Sequence, residues 1–190
     1  MKVFLNPGHD IKYDSGAVNP YSGMRECDVA ADVGARVKGY LEAVGIECQL
    51  IQSDNLAPTR AGRSDKEDRQ GLTVTETANA WGADLFISIH CNASASGDAA
   101  GTETYAYDAS DGDGAKLAQC IQSQIVNSFD LVDRGVKSGP GLLVLKYTDM
   151  PAVLVELGFI DNEHDAALLR DKRDDFARAI ARGVTDWQNL

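Results

Sequence analysis

Two histidines and one glutamate stand where short apolar runs end. His9 lies just past Lys2–Asn6, His90 closes Asp84–His90 (DLFISIH), and Glu156 sits near the end of Ala152–Leu157 (AVLVEL). Neutral imidazole is the commonest metal ligand in proteins. A carboxylate flanked by Val153, Leu154, Val155 and Leu157 is costly to bury unless it is paired, bound to a metal, or working at a raised pKa. Such runs read as strands, and in open α/β sheets ligands bind beyond the carboxyl ends of the strands. The chain has 3 histidines in all, so two at strand ends point toward one site. The plainer alternative makes each of them a hydrogen-bonded strand-end residue. His164, within Asp161–Asp165 (DNEHD), belongs to a polar helix start and reads as solvated.

The hydrophobic pattern supplies the elements that must position these groups. Lys2–Asn6 is a strand stopped by Pro7 and Gly8. Over Arg25–Val44 the residues Val29, Val33, Val37, Tyr40, Leu41 and Val44 recur at helical spacing, and Gly45 ends the helix. Ile46–Ile51 predicts a strand, Thr73–Trp81 a short helix, Thr102–Tyr107 a strand and Ala115–Phe129 a helix. Leu142–Leu145 predicts a further strand, while Ala166–Leu169 and Phe176–Trp187 predict helices. Polar loops cover Asp10–Gly23, Ser53–Gly71, Cys91–Gly101 and Arg134–Gly141. This alternation predicts a single α/β domain over residues 1–190, with a mostly parallel central sheet flanked by helices on both faces.

Composition narrows the partners. The 190 residues are 44% hydrophobic and 25% charged, ordinary values for one globular domain. Lys plus Arg is 18 against 29 Asp plus Glu, a net charge of −11. With no basic patch, the chain is not expected to bind nucleic acid, and its charge opposes an anionic membrane surface. A cation, a metal ion or a neutral polymer remains compatible. No run approaches the roughly 18 apolar residues of a membrane span, so no membrane segment is expected. The N-terminus lacks the apolar core of a signal peptide, so no export signal is expected within this chain. The cysteines Cys27, Cys48, Cys91 and Cys120 form no CxxC pair and read as isolated, mostly buried thiols. Cys91 adjoins His90 on its strand, so the two side chains face opposite sides.

Seven blocks then occur in order. They are Asn6–His9 (NPGH), Asp14–Val18 (DSGAV), Gly23–Glu26 (GMRE), Ala83–Ala93 (ADLFISIHCNA), Gly101–Tyr105 (GTETY), Arg134–Lys137 (RGVK) and Pro151–Ile160 (PAVLVELGFI). On these the chain resembles the zinc-dependent N-acetylmuramoyl-L-alanine amidases of the Amidase_3 family, which cut bacterial peptidoglycan. The resemblance covers nearly the whole chain. It implies Zn2+ held by His9, Glu26 and His90, with Glu156 as the catalytic glutamate. Two histidines and a carboxylate, leaving one open position, is a catalytic zinc set. Pattern alone reads Glu26 as a first-turn helix residue favoured by the macrodipole.

The implied reaction is hydrolysis of the amide joining the lactyl group of N-acetylmuramic acid to the L-alanine of the stem peptide. It implies action on the cell wall, by a monomer, with peptidoglycan as the partner. Arg134 and Lys137 read either as groove residues meeting stem-peptide carboxylates or as a solvated turn. Relatives often carry an Arg a few residues before an Ala-Asn pair; here Ala78-Asn79 has Arg69 as its nearest upstream Arg, and the role of Arg69 stays open. Two other readings use the same residues: a zinc peptidase acting within the stem peptide, and a non-catalytic cell-wall-binding module. The latter predicts a missing ligand or base, and all four positions are filled.

Overall fold

The computed structural model describes residues 1–12, 14–52 and 72–190; the predicted Ser53–Gly71 loop, with Arg69, lies outside the described residues. In chain order the elements are β1 (Lys2–Pro7), α1 (Glu26–Ala43), β2 (Glu47–Leu50), α2 (Val74–Trp81), β3 (Leu85–Asn92) and β4 (Thr102–Ala106). They continue with α3 (Gly112–Ser128), β5 (Asp133–Ser138), α4 (Leu143–Lys146), β6 (Ala152–Phe159), α5 (Glu163–Asp171) and α6 (Arg173–Gln188).

The strands form one six-stranded sheet in the order β2-β1-β3-β6-β4-β5. The first four are parallel, β4 runs antiparallel to β6, and β5 is parallel to β4. The single mostly parallel sheet expected from the alternation of elements is therefore present. Strands β1, β3 and β6 are apolar and buried along most of their length, as is usual for the central strands of a parallel sheet.

Alternation along each strand divides the core. Val3, Leu5, Ile87, Ile89, Val153 and Val155 pack with Val29, Val33, Val37 and Leu41 of α1, Leu117 and Ile121 of α3, and Phe176 and Ile180 of α6. The intervening residues Phe4, Phe86 and Leu154 pack with Val74 and Ala78 of α2 and Val144 and Leu145 of α4. Each fully buried side chain of this size contributes about 1.5–3 kcal/mol over its exposed state. Among the described residues, no helix is long and apolar enough to cross a membrane.

Two expectations are corrected. The predicted strand Leu142–Leu145 is instead one helical turn, α4, with Leu145 and Lys146 amides donating to the Leu142 carbonyl. Four apolar residues are too few to show a period, and burial of Val144 and Leu145 is satisfied by either conformation. The predicted loop Arg134–Gly141 begins instead as the edge strand β5. Its sequence, DRGVKS, has low intrinsic strand preference, and pairing with β4 supplies what propensity does not. A register shift between Thr102 and Thr104 marks the bulge that accommodates Gly135, at φ 76°.

Candidate metal centre

Register brings the site residues to one edge of the sheet. His90 of β3 pairs with Glu156 of β6, and Pro7 of β1 pairs with Ile89. The Gly8 amide donates to the Ile89 carbonyl at 2.8 Å, so Gly8 stands level with His90. A Cβ on Gly8 would lie 2.2 Å from His90 Cε1. Glycine is thus what allows the imidazole to lean across the end of β1. His9 follows with φ 59°, the left-handed region that few side-chain-bearing residues adopt. Strain of this kind costs on the order of 1–3 kcal/mol and concentrates at functional sites.

Glu26 arrives from the other direction, in the first turn of α1. That helix has no side-chain cap at Arg25. Its first amides are taken by the preceding loop: Glu26 N donates to the Ala17 carbonyl and Cys27 N to the Ser15 carbonyl. The loop is thereby docked on the helix start, and the Ala17 amide donates back to Glu26 Oε2 at 2.9 Å. A Cβ on Gly16 would sit 2.5 Å from the same oxygen. The Cys91 amide donates to Glu26 Oε1 at 3.0 Å.

His9, Glu26 and His90 each offer one ligand atom, all within 4.8 Å of one another. Glu26 Oε2 lies 3.2 Å from His9 Nε2, and Glu26 Oε1 lies 2.9 Å from His90 Nδ1. Ligands about 2.0–2.1 Å from a tetrahedral ion stand roughly 3.3 Å from one another, so the donor set fits such an ion. The other ring nitrogen of His9, Nδ1, is 2.8 Å from Asp14 Oδ2, an orienting carboxylate of the kind that fixes metal-binding imidazoles.

The charges are mutually adapted. Burial favours the uncharged form of Glu26, but the hydrogen bonds and charges of His9 and His90 outweigh it and hold the carboxyl well below its usual range. Burial likewise opposes charge on His9, yet Glu26 and then Asp14 raise its imidazole to about 9. Glu156 differs: burial pushes its carboxyl up to about 7, with nearby His90 opposing the rise and Glu26 and Glu103 adding to it. Its Oε2 is buried and has no hydrogen-bond partner among the described residues. The site thus places an uncompensated carboxylate, titrating near neutrality, beside a donor set for one cation.

All four predicted positions, His9, Glu26, His90 and Glu156, meet at this edge. His164 does not; it is exposed, with Nε2 2.8 Å from the Asp130 carbonyl. Cys91 is buried in the core cluster on the opposite side from His90, as its strand position requires. The sequence reading missed Asp14, whose aspartate five residues after His9 was the available signal. It also missed Glu103, which pairs directly across from Glu156.

Fold and site together define an α/β protein with a three-donor set able to hold a metal ion and a buried carboxylate at one edge of a mostly parallel sheet. The chain belongs to the N-acetylmuramoyl-L-alanine amidase family Amidase_3, whose pattern it matches over residues 3–186. It is 36% identical over 189 residues to the N-acetylmuramoyl-L-alanine amidase LytC of Bacillus subtilis, covering 97% of this chain and 35% of that protein. It is 35% identical over 187 residues to the endolysin of Bacillus phage SPP1, covering 95% of this chain and 62% of the endolysin. The chain therefore spans about a third to two thirds of the length of these relatives. Among solved structures it is similar to the N-acetylmuramoyl-L-alanine amidase AmiC2 of Nostoc punctiforme, with a TM-score of 0.82 and 29% identity over 100% of this chain and 98% of that one.

Proposed function

We propose that residues 1–190 form an N-acetylmuramoyl-L-alanine amidase catalytic domain. It hydrolyses the amide between the lactyl group of N-acetylmuramic acid and L-alanine in peptidoglycan, acting on the cell wall as a monomer. The amidase and endolysin relatives support the substrate and the place of action. The observation that carries the reading is the convergence of His9, Glu26 and His90 within 4.8 Å, with Glu156, paired across from His90, offering an Oε2 that has no hydrogen-bond partner among the described residues. The two hydrophobic clusters support the expectation that helices cover both faces of the sheet.

His9, Glu26 and His90 would hold Zn2+, whose tetrahedral preference and mixed nitrogen and oxygen ligands suit this set. Bound there, zinc supplies Lewis acidity toward the amide carbonyl and makes an attacking water more acidic. Asp14 keeps His9 Nδ1 occupied, which leaves Nε2 directed at Glu26 and the metal position. Glu156 takes the proton of the attacking water at its carboxylate and passes it to the departing alanine nitrogen. A carboxyl that titrates near 7 is suited to both halves of that transfer, which contributes on the order of 10²–10⁴-fold. His9 and His90 line a cavity of roughly 210 Å³ together with the apolar Leu142, Leu143, Val144 and Leu154. These apolar side chains suit the methyl groups that flank the scissile amide. Hydrolysis by water requires no serine or cysteine nucleophile.

Zinc dependence is tested by stripping the protein with a chelator and assaying the clearing of purified cell walls. Activity should vanish and return with stoichiometric zinc. Full zinc occupancy in both His9→Ala and His90→Ala would overturn the assignment of the ligands.

A further inference from the structure

The residues level with the metal cluster form a row across the sheet. Gly8 just past β1, His90 on β3, Glu156 on β6 and Glu103 on β4 stand side by side. Glu103 is buried, with 2% of its surface exposed. Its carboxylate is fully used: Asn92 Nδ2 and the Tyr105 hydroxyl donate to Oε1 at 2.8 Å each, Arg134 Nε donates to Oε2 at 2.7 Å, and Lys137 Nζ donates to the same oxygen. A carboxylate held this way, with its pKa lowered against the opposing effect of burial, is no proton carrier. It is an anchor for the two cations.

Two cations on one anion leave a surplus positive charge. The Arg134 and Lys137 side chains remain 33% and 37% exposed. Arg134 spends only Nε on Glu103, and its guanidinium carbon lies 5.0 Å from the centre of the Phe159 ring, which fixes the plane. Its two Nη groups have no hydrogen-bond partner among the described residues, so one edge of the fork faces outward. In a chain of net charge −11, a fixed local surplus of positive charge beside Glu156 is a selective feature.

We infer that Arg134 and Lys137, anchored by Glu103, form a subsite for a carboxylate of the stem peptide, on the side of the scissile amide that departs. This rests on the proposed amidase reaction. The spacing agrees: neighbouring strands lie about 4.8 Å apart, so cation heads gathered over β4 stand roughly 5–10 Å from Glu156. A carboxylate on the residue after alanine is about 6–7 Å from the amide nitrogen, given 3.8 Å between successive Cα atoms. Arginine presents a planar fork that recognises carboxylates with two parallel hydrogen bonds. An amide at the same position would lose the charge and meet donors with a donor.

The test is equilibrium binding, by NMR titration of the zinc-loaded protein, of two dipeptides that cannot be cleaved further. Both are L-alanyl-D-glutamates that carry a methylamide on the γ-carboxyl of the D-glutamate, where the stem peptide continues; one has a free α-carboxylate on that residue, and the other has the α-carboxamide. The wild type should bind the carboxylate form about tenfold more tightly, as expected for a charged hydrogen-bonded pair. Arg134→Gln should bring the ratio near one, Arg134→Lys should retain part of it, and Lys116→Gln, on the exposed face of α3, should leave it at the wild-type value. The wild-type ratio should also shrink as salt is raised. Equal affinities in the wild type, or a ratio that survives Arg134→Gln, would overturn the inference; if that variant fails to fold, the wild-type ratio and its salt dependence decide. A purely structural ion network would change the thermal midpoint without changing the ratio. Because binding is read without turnover, this outcome is separate from whether the protein cleaves the lactyl–alanine bond.

Discussion

Replacing Glu156 with Gln should slow catalysis by at least 10²-fold and, at alkaline pH, relieve a cost that the metal-free wild type carries. The Glu156 carboxyl is raised by burial from 4.5 to about 7. The folded state therefore holds its proton more tightly than the unfolded state does. Stability is then lost as pH rises from 4.5 through 7, because only the unfolded chain has released the proton in that interval. Between pH 5 and pH 8 those two values correspond to roughly 2–3 kcal/mol, an upper figure because Glu156 is partly exposed and solvent screens some of the effect. Gln cannot titrate, so it lacks this dependence. Its own burial cost is the same at both pH values and cancels in the difference. Urea unfolding of metal-free wild type and Glu156→Gln at pH 5 and pH 8 gives the four free energies needed. The wild type should lose up to roughly 2–3 kcal/mol relative to the variant on going to pH 8. The zinc-loaded variant should clear walls at least 10²-fold more slowly, the loss expected for a missing general base. A difference between pH 5 and pH 8 near zero, or of opposite sign, would show that Glu156 is not a buried carboxyl of raised pKa.

Three further outcomes follow from the same geometry. With His9 raised to about 9, zinc must displace a proton at neutral pH, so affinity should fall about tenfold per pH unit below 9; calorimetry in buffers of differing ionisation enthalpy should show close to one proton released, and none would contradict the His9 assignment. Gly8→Ala places a Cβ 2.2 Å from the His90 ring and should weaken zinc binding while costing about 1–3 kcal/mol of stability; metal titration and urea unfolding read both, and wild-type affinity would refute the close approach. Asp14→Asn removes the charge that orients His9 and should lower zinc affinity by about 10–100-fold, measured by competition with a chromophoric chelator.

Much of the fold was legible because long elements carry a clear period. Val29, Val33, Val37 and Leu41 are fully buried on α1 as their spacing requires, and the apolar runs ending at His90 and Glu156 are central strands. Short or polar elements were not legible, since α4 has four residues and β5 depends on β4 for its conformation. The strand-end rule located His9, His90 and Glu156 from residue type alone. Glu26 came only with the family resemblance, because its role depends on the loop that docks Ala17 and Ser15 on the first turn of α1. Glu103 was hidden for a related reason: its meaning lies in the cross-strand pairing with Glu156 and in two cations from a neighbouring strand.

The most direct measurement is mass spectrometry of the fragments released when the zinc-loaded protein digests purified peptidoglycan. The His9, Glu26, His90 and Glu156 site predicts glycan strands bearing free lactyl carboxylates on N-acetylmuramic acid, and intact stem peptides with new L-alanine amino termini. Stem peptides cut between their own amino acids, with the lactyl amide intact, would instead make the protein a zinc peptidase; walls bound but released unchanged would make it a binding module.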